Sequence, residues 1–298
     1  MPTSHPIAIA CADLHLSLLQ PVCRADANWL SVQAHYLDQL KDIAGDLPIL
    51  CSGDIFDRWN APPELINFVL KNLPDNMLCI PGQHDLPNHL MDQKHRSGYG
   101  VLVQAGKIVD LSACTFWNDT DFQVQGFGWD VSIAPPIPSD SIRIAAIHRY
   151  CWTKGHKYPD APESANVSNL EKELQGYDIA VVGDNHKGFL SRSGKCIVCN
   201  VGGFIRRKSD EIDYAPSVGV IYSDGSVVRK PLDTSIDKFH DIEEQREEVP
   251  LNLKEFIDKL EGLGEHGLNF REAVENHLRT EDISPATKQI ILKALETT

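Results

Sequence analysis

The stretch LPILCSGDIFD, residues 47–57, is an apolar run that ends abruptly in a Gly-Asp pair and a second Asp, and its reading decides the fold. A short buried strand that delivers a carboxylate at its end is the pattern it predicts, because ligands in α/β folds are held at strand termini beside a crevice. Two neighbours repeat the design: IAIACADLH (7–15) ends in Asp13 and His15, and NMLCIPGQHD (76–85) ends in Gln83, His84 and Asp85. The intervals, NWLSVQAHYLDQLKDIAG and PPELINFVLKNL, carry apolar residues at helical spacing. Pro62 and Pro63 open the second, where a helix tolerates proline. Strand and helix alternating in this way predict an α/β fold.

From about residue 107 the pattern becomes strand-rich, with KIVDL, FQVQGFG, SIRIAAIH, YDIAVVGD, GKCIVCNV and SVGVIYSDGSVVRKPL. Asp224-Gly225 in the last run is a hairpin signal. The expected architecture is therefore two packed mixed β-sheets flanked by helices over residues 1–232. Residues 233–298 are expected to be an acidic linker, DIEEQREEVP among it, and a small helical C-terminal extension. That extension has apolar stripes at Leu253, Phe256, Ile257 and Leu260, at Phe270, Ala273, Val274 and Leu278, and after Ser284-Pro285.

The chain has 298 residues, 42% hydrophobic and 23% charged, within the globular range, and no run approaches the roughly 18 apolar residues of a membrane span. The N-terminus lacks a basic region before its apolar run, which Asp13 interrupts, so no secretory signal is expected and a cytoplasmic location follows. Eight thinly spread cysteines form no disulfide framework, and Cys196 and Cys199, three apart in a strand, should face opposite ways. A formal net charge of −14 argues against a broad basic clamp for nucleic acid. Residues 233–298 hold 16 acidic and 8 basic residues, so much of the excess lies away from the strand ends.

Five polar clusters end the apolar runs: Asp13 and His15; Asp54; Gln83, His84 and Asp85; His148; and Asp184 with His186. Asp13 and His15, two apart, would share one face of an extended segment. Carboxylate and imidazole together suit manganese, iron or zinc. In order and spacing the clusters resemble the calcineurin-like metallophosphoesterase superfamily, whose signature runs DxH, GDxxD, GNH(D/E), a later His, and GHxH. Asn200-Val201-Gly202-Gly203 is similar to the turn that follows the last motif, so the resemblance covers about residues 5 to 232.

The resemblance implies two divalent metal ions. Asp13, His15, Asp54 and His186 would bind the first, and Asp54, Gln83, His148 and Asp184 the second, with Asp54 bridging and a shared water activated for attack on phosphorus. His84 would protonate the leaving oxygen, with Asp85 orienting its ring. Gln83 and Asp184 depart from the pattern, where Asn and His stand. Both offer oxygen, which favours Mn2+ or Mg2+ over Zn2+ at that site and leaves open a weak or empty second site.

Arg149, with Tyr150, Trp152, His156 and Lys157, could line a substrate cleft. The basic run Arg206-Arg207-Lys208 could touch phosphate, but three exposed charges read first as a solvated turn. The chain looks most similar to the bacterial DNA repair exonuclease branch, which implies a DNA-directed phosphodiesterase working with an SMC-like ATPase partner. The alternatives are a phosphatase or phosphodiesterase for small nucleotides, and a catalytically silent scaffold.

Overall fold

A computed structural model describes residues 4–113 and 116–240. The elements, in chain order, are β1 (Pro6–Cys11), α1 (Trp29–Ala44), β2 (Ile49–Cys51), α2 (Pro63–Asn72), β3 (Met77–Cys79), α3 (Gly98–Gln104), β4 (Ile108–Asp110), β5 (Trp117–Asn118), β6 (Phe122–Phe127), β7 (Ile142–His148), β8 (Ile179–Gly183), β9 (Phe189–Ser193), β10 (Cys196–Asn200), β11 (Ser217–Tyr222) and β12 (Val227–Pro231). They form two six-stranded mixed sheets, ordered β12-β11-β1-β2-β3-β4 and β5-β6-β7-β8-β10-β9. The first is parallel from β1 to β4, and the second is parallel from β6 through β7 and β8 to β10.

Strand alternation sorts the apolar residues into three layers. Ala8, Ala10, Leu50, Leu78, Val124, Ile144, Ala146 and Val181 point between the sheets. Ile9, Cys11, Ile49, Cys51, Met77 and Cys79 point outward, under α1, α2 and α3. The outer face of the second sheet carries Ala145, Ile147, Ala180 and Val182, covered by Val167, Leu170 and Leu174. Cys196 belongs to that outer layer and Cys199 to the interior, so the two thiols diverge as their spacing predicts.

Helix α1 starts where Asn28 accepts a hydrogen bond from Ser31 N (3.0 Å) and stops at Gly45, whose φ of 54° suits glycine. Its buried stripe, Trp29, Val32, Tyr36, Leu37, Leu40 and Ala44, follows the helical repeat. Each large side chain so buried contributes roughly 1.5–3 kcal/mol. The Asp224-Gly225 turn joins β11 and β12 as an antiparallel hairpin.

The described body continues past Leu232 to His240. Asp237, its side chain wholly buried, accepts hydrogen bonds from Arg24 Nη2 (2.9 Å), Arg206 Nε (2.7 Å) and Tyr36 Oη (2.8 Å). Arg24 also grips Asp26 through two nitrogens, at 2.7 and 3.0 Å. Arg206, read from sequence as part of a solvated turn, is thus drawn into a buried ion cluster. The helical extension expected beyond residue 250 lies outside the described residues.

Burial alone would raise the Asp237 carboxyl, but hydrogen bonds from Arg24, Tyr36 and Arg206 outweigh it and hold the group below the ordinary carboxylate range. Its contribution is complete above the unfolded pKa near ~4 and fades as pH falls through the lowered folded value. Asp237→Ala strands two guanidinium groups and is expected to cost about 3 kcal/mol in urea unfolding at pH 7. The gap between variant and wild type should narrow at acid pH, and an equal gap at both would contradict the assignment.

Candidate metal centre

The five clusters meet at one end of the sandwich. Asp13 and His15 follow β1, Asp54 follows β2, and Gln83 to Asp85 follow β3, while His148 ends β7 and Asp184 to His186 follow β8. The edge is made by kinks and not by continued strand. Asp13, His15, Asp54 and Asp184 all have left-handed backbone, with φ of 53°, 44°, 55° and 82°. The sequence expectation that Asp13 and His15 share a face through strand alternation is therefore corrected. Strand β1 stops at Cys11, and the two side chains converge because Leu14, fully buried, sits between two reversed residues. Backbone hydrogen bonds from Asp13 N to Gly53 O (3.0 Å) and His15 N to Asp54 O (2.9 Å) fasten this segment to the Asp54 loop. Such conformations cost about 1 kcal/mol or more each and persist only where surrounding contacts impose them.

Gly53, at φ 95°, and Gly82 make the loops fit. A Cβ on Gly53 would stand 2.2 Å from His148 Nδ1, and one on Gly82 would stand 2.1 Å from Asp54 Oδ1.

Three overlapping groups of donor atoms lie within 4.8 Å of one another: Asp13 with His15 and His186, His15 with Asp54 and His84, and Asp13 with Asp54 and His148. In the first, His15 Nε2 and His186 Nε2 are 3.1 Å apart. Burial pushes His15 well down against the opposing Asp54 charge, and burial followed by Lys208 lowers His186 to about 4. Both rings are therefore neutral at pH 7 and can present lone pairs to a cation.

In the third group, His148 Nδ1 is 2.6 Å from Ser52 O and its Nε2 is 2.6 Å from Gln83 Oε1. Burial would depress this ring, but Asp54, with Oδ2 3.4 Å from Nε2, more than offsets it and pushes His148 up to about 10. Gln83 turns its Nε2 to Asp184 Oδ1 (2.8 Å), and Asp184 N donates to both Asp13 oxygens (3.0 and 3.2 Å). The two residues that depart from the resembled pattern thus touch each other.

Asp54 joins the groups. Its Oδ1 accepts from His84 N (2.9 Å), while Oδ2, buried without a hydrogen-bond partner, lies 3.7 Å from His15 Nε2 and 3.4 Å from His148 Nε2. Burial raises this carboxyl, yet His148 and then His15 draw it well below the usual range. Burial and the nearby Asp54 charge push Asp13 up. An orphaned anionic oxygen between two imidazoles, ringed by further oxygen donors, fits two divalent cations sharing one carboxylate. The residues that could hold them are Asp13, His15, Asp54 and His186 on one side and Asp54, Gln83, His148 and Asp184 on the other.

One expectation is corrected. Asp85 does not orient the His84 ring: its fully buried carboxylate accepts from the backbone N of Ile55 (3.2 Å), Phe56 (3.0 Å) and Gly82 (3.0 Å), pinning the Asp54 loop to its own. The His84 ring instead sets Nδ1 2.7 Å from Asp57 O, so its exposed Nε2 edge is the one left for substrate. Arg149, expected at a substrate cleft, pairs its Nη1 with Glu173 (2.9 Å).

Three other residues were given no part in the metal centre by the sequence reading. Asp57 lies 3.7 Å from His15 Nδ1 and 2.7 Å from Arg207 Nη1, so Arg207 is an ion-pair partner beside the centre. Trp129, its ring centroid 6.3 Å from those of His148 and His89, walls the opposite side. The GDxxD spacing was the available signal for Asp57; nothing local marked the others.

A layered sandwich with polar clusters gathered at its strand ends defines a metallophosphoesterase scaffold. The family model described as Calcineurin-like phosphoesterase matches residues 8–188, and the chain belongs to that family. It is an enzyme that hydrolyses phosphate esters. No curated protein matches the chain.

Among solved structures, TT1561 of Thermus thermophilus is similar at 14% identity and TM-score 0.45, over 76% of this chain and 98% of that one. A putative 5'-nucleotidase from Staphylococcus aureus is similar at 13% and 0.43, over 80% of this chain and 56% of that one. A metallophosphoesterase from Sphaerobacter thermophilus is similar at 13% and 0.38, over 76% and 88%. The family and the clustered donors together point to a two-metal site.

Because Gln83 and Asp184 are hydrogen-bonded, Gln83→Asn and Asp184→His should couple. Each single change is expected to lower bound Mn2+ per chain. The double change should lose less than the two losses summed and move preference towards Zn2+ or Fe2+. Additive losses with unchanged metal preference would separate the two residues.

Proposed function

We propose that this enzyme cleaves phosphodiester bonds, that DNA is its substrate, and that Asp54 bridges two metal ions in doing so. The observation that supports this most is Asp54 Oδ2, buried, unpartnered and shared by two donor groups. When bound, divalent cations supply charge neutralisation at phosphorus and an activated water at neutral pH. Mn2+ is the preferred ion in this reading, with Mg2+, Fe2+ and Zn2+ as competitors. Asp13, His15 and His186 complete one site, and Gln83, His148 and Asp184 complete the other.

The remaining work falls to side chains of this chain. His84, hinged on Asp57 O and exposed at the mouth of the cluster, carries a proton to the departing oxygen. Asp85 keeps the Asp54 and His84 loops at fixed separation through its three backbone contacts. Ser52 O holds His148 Nδ1, which leaves Nε2 as the donor edge. Trp129 places its ring 6.3 Å from that of His148, centroid to centroid.

A DNA-directed exonuclease working beside an SMC-like ATPase in the cytoplasm remains the fuller form of this reading. No helix among the described residues is long and apolar enough to cross a membrane. A small nucleotide is the second reading, favoured by the net charge of −14, which opposes a long polyanion.

Asp54→Asn is nearly isosteric and should fold, yet turnover of bis-p-nitrophenyl phosphate with saturating Mn2+ should fall below about a tenth of wild type, along with bound metal per chain. Full turnover would remove Asp54 from its bridging role. On the wild type, kcat/KM for single-stranded DNA should drop steeply between 50 and 200 mM salt, on the order of 10-fold or more. A flat salt response with rapid small-nucleotide hydrolysis would select the second reading.

A further inference from the structure

Beside His186 lies a group of side chains that the chemistry at phosphorus does not use. Tyr158 carries Lys187 Nζ 4.4 Å and Lys208 Nζ 5.7 Å from its ring centroid. The three residues come from separate segments, and Tyr158 N is itself fixed by Tyr150 Oη at 3.0 Å. Lys187 directly follows His186 in the chain, and Lys208 directly follows Arg207, whose Nη1 lies 2.7 Å from Asp57 beside His15. Both lysines are thus next in the chain to residues of the donor cluster or of its ion-paired edge.

Neither of these two lysines is neutralised by a carboxylate. Of the other basic groups around the rim, Arg207 is matched by Asp57, Arg149 by Glu173 and Lys157 by Glu163. Among the described residues, Lys187 and Lys208 have no carboxylate ion-pair partner, and the only polar contact of Lys187 Nζ is a 3.4 Å hydrogen bond to Lys157 O. Glu211 accepts instead from the backbone N of Arg207 (2.6 Å) and Lys208 (3.1 Å).

Lys187 also lines an open cleft of ≈ 500 Å³ with His156, Asp213, Tyr214 and Arg229. Arg229 is held by Ser217 Oγ and the carbonyl oxygens of Gly188 and Val201 (2.9–3.2 Å), so it too lacks a carboxylate there. In a chain with a net charge of −14, Lys187 and Arg229 thus bring two cations without a carboxylate ion-pair partner to one cleft. An aromatic ring under two ammonium groups limits their motion and leaves their remaining N–H bonds directed outward.

We propose that Lys187 and Lys208, seated on Tyr158, form a subsite for a second phosphate of the substrate, the next one along from the phosphorus attacked. This deepens the phosphoesterase reading and rests on it. The second phosphate belongs either to the next linkage of a polynucleotide or to a nucleotide polyphosphate chain. Recognition is by charge-assisted hydrogen bonds, worth about tenfold for such a pair at a half-exposed rim.

The test compares substrates that differ by one phosphate, with Mn2+-loaded full-length protein: TpT against TpTpT for the polynucleotide source, and AMP against ADP for the polyphosphate source. The second phosphate is expected to raise kcat/KM about tenfold in one pair, which names the source. The Lys187→Gln/Lys208→Gln double variant should erase that gain.

Tyr158→Leu should erode the gain and Tyr158→Phe should preserve it, since the phenyl face alone carries the cations. A gain that survives in the double variant overturns the subsite, as does hydrolysis of all four substrates with no gain in either pair. If no phosphate ester is turned over with any metal, the functional reading fails separately. Calorimetric binding of inorganic pyrophosphate to the metal-free protein then decides: tighter binding to wild type than to the double variant supports the subsite, and equal binding refutes it.

Discussion

Everything at the working end of this fold depends on keeping the Asp54 carboxylate charged where water cannot reach it. Both its oxygens are buried, one satisfied only by His84 N and the other by nothing but the field of two imidazoles. An isolated anion in such a place costs several kcal/mol, so the surroundings must supply positive charge at close range. His148 does so from the second sheet, with the neutral His15 ring alongside it in the loop after β1. The two sheets are thereby committed to one relative register at this edge, a commitment reinforced where Ser52 Oγ donates to Val181 O at 2.9 Å.

That constraint explains the unusual backbone around the cluster. Four left-handed non-glycine residues and the tight glycines 53 and 82 serve a single requirement, to bring short side chains from separate strands within a few ångströms of one oxygen. Asp85 carries the structural load for this. Its three backbone contacts span two loops, and burial with the nearby Asp54 charge pushes its carboxyl up to about 8. Its place in the motif is thus explained by loop geometry, whereas the exposed His84 beside it is free to meet a substrate.

The chain of contacts from Asp13 through Asp184 and Gln83 to His148 shows how the two departures from the resembled motif coexist. Gln83 has the reach to touch His148 and Asp184 at once, and the shorter Asp184 leaves room for it. A carboxylate in place of an imidazole adds anionic charge near His148, whose ring burial would depress but Asp54 chiefly, with Asp13 and Asp184 in lesser part, pushes up to about 10.

Reading the sequence alone determined the layered α/β plan and the order of the polar clusters, because strand alternation and polar residues at the ends of apolar runs are local signals. Cys196 and Cys199 diverging, the Asp224-Gly225 hairpin and the stripe of α1 are such cases. Only the tertiary structure decided that Asp13 and His15 converge through left-handed kinks, that Asp85 serves the backbone, that Arg149 turns to Glu173, and that Arg206 pairs with Asp237. It alone set Lys187 and Lys208 on Tyr158. The reason is physical: a side chain's partner 30 to 200 residues away is fixed by how two sheets pack and how buried charges are neutralised, and neither leaves a trace in the local spacing of residues.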